Sequence, residues 1–255
     1  MPASDTGGGA ALERTGGGPA LELRDVSAGY GETTIVRDVT LEVRGGETLV
    51  IVGPNGHGKT TLMRAITGLL PVSTGTISFG GERIDGRRAE ALTELGLVHV
   101  PQGDHLFPEL TVEENLMMGA FPRASWRERR QAVDRVFERF PTLRERRTQR
   151  ASSLSGGERR QVAIGRGLMR RPRLLIVDEP SLGLAPVIIE TVYDTIAEIA
   201  GGETSVLLVE ENFTHIEELA DRVCMLEMGR IVRTGPASEL MADETVMQSY
   251  LGAAG

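Results

Sequence analysis

Lysine is almost absent from this 255-residue chain: of 28 basic residues one, Lys59, is lysine, and all the others are arginine. A single position therefore demands a compact ammonium where a planar guanidinium would not serve. Cysteine is reduced to Cys224, which excludes an intramolecular disulfide, fits a reducing compartment and reads as an inert core thiol. No run approaches the roughly 18 apolar residues of a membrane span. The N-terminal stretch also lacks the apolar segment of a secretory signal, so a soluble, cytosolic product is expected. Excess positive charge is missing too. A formal net charge of −8 argues against nucleic acid as a partner, because Lys and Arg neutralising phosphate supply most of such affinity.

What is present begins around that lysine. Gly53-Pro54-Asn55-Gly56-His57-Gly58-Lys59-Thr60-Thr61 fits the pattern G-x-x-x-x-G-K-[ST]. In such a loop the glycines let backbone N–H groups form a nest around phosphate oxygens. The lysine reaches the outer phosphates as a point charge, and the hydroxyl, here Thr60, can ligate Mg²⁺. Glu47 to Val52 reads as a buried strand entering the loop, and Leu62, Met63, Ala65 and Ile66 read as the start of an amphipathic helix. Strand, loop and helix follow in the order a nucleoside triphosphate site requires.

Residues 1 to 20 are rich in Gly, Ala and Thr and read as a flexible tail without chemistry. Residues 21 to 255 read as one domain. From Leu21 onward β-rich runs alternate with helical patterns: Leu21 to Val26, Val39 to Val43, Leu49 to Val52, Thr76 to Phe79, Leu97 to Val100, Leu174 to Val177, Ser205 to Val209 and Val223 to Leu226. Strands buried on both faces and separated by helices predict an α/β fold with a largely parallel core, its ligand at the carboxyl ends of the strands. Between Gly103 and Ser153 no strand pattern survives. Val133, Val136, Phe137 and Phe140 share one helical face there, so a helical insertion is predicted over 103–153. Nine Arg against four acids between Arg127 and Arg150 read either as a surface for an acidic or membrane-associated partner or as a solvated helix flank.

Leu174-Leu175-Ile176-Val177-Asp178-Glu179 is a hydrophobic strand ending in two acids. A carboxylate at such a strand end, Asp178, can hold Mg²⁺ directly or through water. Glu179 could accept a proton from the water attacking a γ-phosphate. Leu154-Ser155-Gly156-Gly157-Glu158 opens a helix, whose exposed amides and dipole make an anion site, with an ordinary N-cap as the default reading.

In order, the phosphate loop, Gln102 in Val100-Pro101-Gln102, the LSGGE segment and Asp178-Glu179-Pro180 resemble an ATP-binding cassette subunit, the motor of ABC transporters. The resemblance implies a phosphate-loop NTPase core, mostly parallel with an antiparallel β portion, carrying an inserted helical subdomain. ATP and Mg²⁺ are the implied cofactors, with Thr60, Gln102 and Asp178 at the metal and Lys59, Gln102 and Glu179 at the chemistry. Two cassettes pack head to tail in this family, so ATP would lie between Lys59 of one and Ser155, Gly156, Gly157 and Glu158 of the other. Tyr30 would stack on adenine, a contact of roughly 1 to 3 kcal/mol in comparable stacks; taken alone it reads as a turn aromatic.

Finer features are similar to the smaller ATPase of branched-chain amino-acid importers: Phe107-Pro108, Thr111 to Leu116, Glu145 to Arg147, Gln149 to Ala151, and Pro180 to Pro186. The resemblance implies a second ABC ATPase chain, integral membrane permease subunits and, indirectly, a periplasmic or extracellular solute-binding protein. The chain would lie peripherally on the cytoplasmic side of the cell membrane. Urea and short-amide importers share these features, and a lipid-exporter ATPase or a soluble ABC switch protein are the alternatives. The spacing from Lys59 to Leu154 leaves no room for the long coiled-coil insertion common in switch proteins.

One position departs from the pattern. Many cassettes place His after the strand that here ends Val209-Glu210-Glu211-Asn212, so Glu211 stands where a γ-phosphate contact is usual. Two like charges 4 Å apart cost about 4 kcal/mol at an effective dielectric near 20, more than the roughly 1.5 to 3 of a charge-assisted hydrogen bond. Glu211 is therefore expected to turn from the γ-phosphate or reach it through water. His215 reads as an ordinary surface helix residue.

Overall fold

The computed structural model describes residues 20–120, 126–200, 202–211, 213, 216–243 and 246. Residues 1–19 of the sequence-read tail, and His215, lie outside the described residues.

Two sheets stack on each other. The larger has six strands in the order β10-β9-β3-β8-β7-β6. Five of them run parallel: β3 (Thr48–Val52), β6 (Leu97–Val100), β7 (Leu174–Asp178), β8 (Ser205–Glu210) and β9 (Arg222–Glu227). At one edge β10 (Arg230–Pro236) pairs antiparallel with β9. Alternate residues of the parallel strands enter two different cores, because successive strand side chains point to opposite faces. Leu49, Ile51, Leu174, Ile176, Leu207 and Val209 face one core; Val50, Val52, Leu175, Val177, Val206 and Leu208 face the other. Each such side chain contributes roughly 1.5 to 3 kcal/mol by leaving water, which is why the sheet carries unbroken apolar runs.

The first core is closed by an antiparallel sheet, β2-β1-β4-β5, built from β1 (Leu21–Tyr30), β2 (Thr33–Val43), β4 (Val72–Phe79) and the short β5 (Glu82–Arg83). Helix α1 (Lys59–Ile66) buries Leu62, Met63 and Ile66 in this core, and α2 (Ala89–Glu94) adds Leu92. The second core is covered by α3 (Val112–Gly119), α4 (Trp126–Arg139), α5 (Pro141–Glu145), α6 (Gly156–Leu168) and α7 (Pro186–Ala200). Val133, Val136, Phe137 and Phe140 are all buried there. Between Gly103 and Ser153, strand pairing among the described residues is limited to one isolated bridge, Thr111 to Arg150. Helix α8 (Ala237–Ala242) follows β10.

Several strands exceed the runs read from sequence. β2 begins at Thr33 rather than Val39, and β4 at Val72 rather than Thr76. β10 and β5 were not anticipated, and both are mostly exposed edge pieces without an apolar run. Cys224 is buried in β9 with its sulfur 3.3 Å from the Thr234 hydroxyl.

Candidate functional site

The carboxyl ends of β3, β7 and β8, together with the segment after β6, converge at one end of the larger sheet. β3 runs straight into the loop at Gly53, whose N–H donates to the Glu210 carbonyl at 3.2 Å. A methyl group on Gly53 would lie 2.3 Å from the Leu226 carbonyl oxygen, so the loop's first residue must be glycine. At its other end Gly58 adopts φ 104°, in the left-handed region, as the N-cap of α1. The Gly229 N–H, in the β9–β10 turn, donates to the His57 carbonyl at 2.9 Å and braces the loop from behind.

Lys59 is 4% exposed. Its ammonium donates to the carbonyls of Gly53 at 2.6 Å and Pro54 at 3.3 Å, and lies 3.2 Å from Glu179 Oε1. The other Glu179 oxygen accepts from the Gln102 amide at 2.8 Å. Lys59, Glu179 and Gln102, from three separate motifs, thus form one chain of contacts. Glu179 is 5% exposed and takes a left-handed backbone, φ 46°, which is uncommon outside glycine.

Asp178, 1% exposed, is pushed up to about 6 by its burial and next by the charge of Glu179, with Lys59 opposing. Its Oδ1 is buried without a hydrogen-bond partner among the described residues. An orphaned carboxylate oxygen beside a phosphate loop suits a hard divalent cation, and Mg²⁺ commonly takes one or two carboxylates plus substrate phosphates. Among the described residues no group of three or more His, Cys, Asp and Glu could hold a metal, so a cation here needs the hydroxyl, amide and phosphate oxygens as well.

Two hollows meet at Thr60. One, of about 250 Å³, is lined by Tyr30, Asn55, Gly56, Lys59, Thr61 and Glu179 among others. The second, of about 760 Å³, brings Gln102 and Asp178 together with His99, Phe107 and Met118. Tyr30 is 45% exposed and its hydroxyl accepts from Arg64 Nη1 at 2.8 Å. Pro54, His57 and Gly58 belong to the loop itself, and His57 Nδ1 is buried without a partner among the described residues.

Ser155, Gly156, Gly157 and Glu158 line neither hollow. Ser155 Oγ accepts from the Glu158 N–H at 3.3 Å while Glu158 Oε2 accepts from the Ser155 N–H at 2.8 Å, a reciprocal cap on α6. Arg146 takes the remaining Glu158 oxygen at 2.6 Å.

Glu211 is exposed, at the end of β8. The inward acid is its neighbour, a residue sequence reasoning passed over. Glu210 is 3% exposed; its carboxylate accepts from the Ser181 hydroxyl at 3.0 Å and the Tyr193 hydroxyl at 2.5 Å. Burial raises the Glu210 carboxyl while bonds from Tyr193 and Ser181 oppose it, and burial beside Glu210 raises Tyr193. An acid closing an apolar strand was the available signal, the same one that marked Asp178.

A family model described as ABC transporter matches residues 36–182, more than half of the chain. The chain belongs to the ABC transporter family. Within it, the high-affinity branched-chain amino acid transport ATP-binding protein BraG of Pseudomonas aeruginosa is 40% identical over 232 residues, 91% of this chain and 99% of BraG. The probable branched-chain amino acid transport ATP-binding protein LivF of Archaeoglobus fulgidus is 35% identical over 233 residues, 91% of this chain and 98% of LivF. An ATP-binding cassette of an ABC transporter, solved in its ADP conformation, superposes with a TM-score of 0.81 at 27% identity, over 92% of this chain and 99% of that one. The chain is thus an ATP-binding cassette with the phosphate-loop NTPase fold. Its likeness to these transport ATPases implies dimerisation and membrane partners, and no described helix is long and apolar enough to cross a membrane itself.

Proposed function

We propose that this cassette is the ATP-hydrolysing motor of an ABC importer for branched-chain or related amino acids, peripheral on the cytoplasmic side of the cell membrane. The meeting of Lys59, Glu179 and Gln102 beside the unpartnered Asp178 oxygen carries the catalytic part. Near end-to-end similarity to two branched-chain amino acid transport proteins supports the substrate class.

Lys59 exchanges the Gly53 and Pro54 carbonyls for the outer phosphates of ATP, and the amides of residues 53 to 61 enclose the rest. Released from Lys59, Glu179 accepts the proton of the attacking water, with Gln102 fixing its orientation through the 2.8 Å bond. Thr60, Gln102 and Asp178 would hold Mg²⁺, which when bound neutralises charge developing on the phosphates. Tyr30 stacks on the base. Ser155, Gly156, Gly157 and Glu158 present the N-terminus of α6 to nucleotide held by a second cassette, and the exposed Glu211 stays clear of the γ-phosphate. The segment 103–153 serves as the helical subdomain that faces the permease subunits, which receive solute from an external binding protein. Residues 1–20 stand outside this machinery.

Uptake of labelled leucine and urea in cells, with the wild-type gene, Lys59→Ala or Glu179→Gln, tests the proposal. Both variants are expected to abolish leucine uptake. Undiminished uptake with Lys59→Ala, joined to no calorimetric heat from the purified protein with Mg²⁺ and ATP, would overturn the motor role; loss of urea uptake alone would overturn the substrate class.

A further inference from the structure

Glu210 takes no part in those steps, yet its buried carboxylate is where two elements meet. Oε2 accepts from Ser181 Oγ at 3.0 Å, and Oε1 accepts from the Tyr193 hydroxyl at 2.5 Å and the Ser181 N–H at 3.4 Å. Ser181 stands two residues beyond Glu179, in a turn closed by the Leu182 N–H on the Glu179 carbonyl at 3.2 Å. Within this turn Glu179 keeps its left-handed backbone. A strained non-glycine residue persists only where its surroundings over-determine it. Here they do so from β8: the Glu179 N–H donates to the Val209 carbonyl at 2.9 Å, and the next residue, Glu210, holds Ser181. Tyr193, on α7, keeps the carboxylate from swinging away. The Glu210 carbonyl meanwhile accepts from Gly53, so one strand end references both the phosphate loop and the Glu179 turn.

We infer that Glu210 is a positioning residue: by anchoring Ser181 it fixes the Glu179 carboxylate relative to the phosphate loop and speeds hydrolysis without contributing to ATP binding. The inference rests on the reading of Glu179 as the proton acceptor. An ionised carboxylate suits the task because both oxygens only accept, and all three donors find a lone pair. A glutamine would offer one accepting oxygen and set its amide against a donor. A misplacement of 1 Å can cost on the order of a hundredfold in rate, so a loss between about tenfold and a hundredfold in kcat is the expected scale.

Steady-state ATPase kinetics and ATP calorimetry on the full chain test it with four single variants. Glu210→Gln and Ser181→Ala are each expected to lower kcat by at least about tenfold while KM and the ATP Kd hold. Ser181→Thr, which returns a hydroxyl, should recover most of the rate. The double variant should be no slower than the slower single one, because both remove the same contact. Should Glu210→Gln fail to fold, Ser181→Ala decides alone, since it leaves the buried acid in place. If Glu179→Gln abolishes turnover while Ser181→Ala keeps the wild-type kcat, the positioning role is overturned and the catalytic reading stands. If Glu179→Gln turns over normally, the catalytic reading itself fails. A drop in ATP affinity as large as the drop in kcat would also overturn the inference, by showing general damage to the site.

Discussion

His99, on β6, shows how one residue's burial becomes a property of the protein. Its Nε2 has no partner among the described residues, and burial holds the imidazole down at about 4, against 6.5 in the unfolded chain. Between those values the unfolded chain binds a proton that the folded one refuses, so stability rises with pH through that window and is lost as pH falls from 6.5 towards 4. The effect amounts to roughly 3 kcal/mol at most. Asp178, raised to about 6, acts in the opposite direction, since folding penalises its ionised form. A difference between wild type and His99→Phe cancels that contribution. Urea unfolding from pH 4 to 7 is expected to show the wild type losing stability relative to the variant as pH falls; parallel curves would contradict the burial effect.

Individual motifs were readable because each is local. Lys59, Gln102 and Glu179 were each visible in sequence, whereas their contacts depend on strands far apart in the chain. Glu211 stands out in the sequence by resemblance, at the position where many cassettes carry His, whereas nothing local marks Glu210 as the inward one of the two. β8 is buried on both faces, so alternation gives no signal of which terminal acid points inward. Register supplies it: Asp178 pairs with Val209, which puts the next residue against the Ser181 turn.

Among elements, legibility followed burial. The parallel strands were evident as apolar runs, but the first half of β2, where buried Val36 stands among exposed Thr33, Thr34, Arg37 and Asp38, and the edge strand β10, with its Arg, Thr and Gly, read equally well as loop. Helix packing was less visible still. α3 meets α6 at Gly119, where a methyl group would lie 2.1 Å from the Arg166 carbonyl oxygen, a backbone atom that cannot rotate away. Gly119→Ala must push the two helices apart, and overpacking of this kind costs typically about 1 to 3 kcal/mol. The urea midpoint should fall with its slope unchanged. An unshifted midpoint would mean that the α3–α6 contact yields without cost.

At the scale of the whole molecule, topology assembles the site. Parallel strands joined through helices bring residues from Gly53 to Glu210 to the same carboxyl end of the sheet, so nucleotide is bound by the folded chain and not by its separated parts. A ligand of the native state alone stabilises it by mass action, about 2.7 kcal/mol at a hundred times Kd. For a chain this long each kcal/mol moves Tm by about 2 to 4 °C, so saturating ATP with Mg²⁺ should raise Tm by roughly 5 to 10 °C. Chelating the Mg²⁺ should shrink that rise in the wild type. In Asp178→Asn, where the orphaned oxygen no longer attracts a cation, the rise should be the same with and without chelator. If nucleotide also joins two cassettes, association adds a second linkage, and the ATP-dependent Tm of Glu179→Gln, the variant proposed to hold ATP without cleaving it, will climb with protein concentration. A Tm independent of concentration would confine ATP to a single chain and leave the N-terminus of α6 without its proposed role.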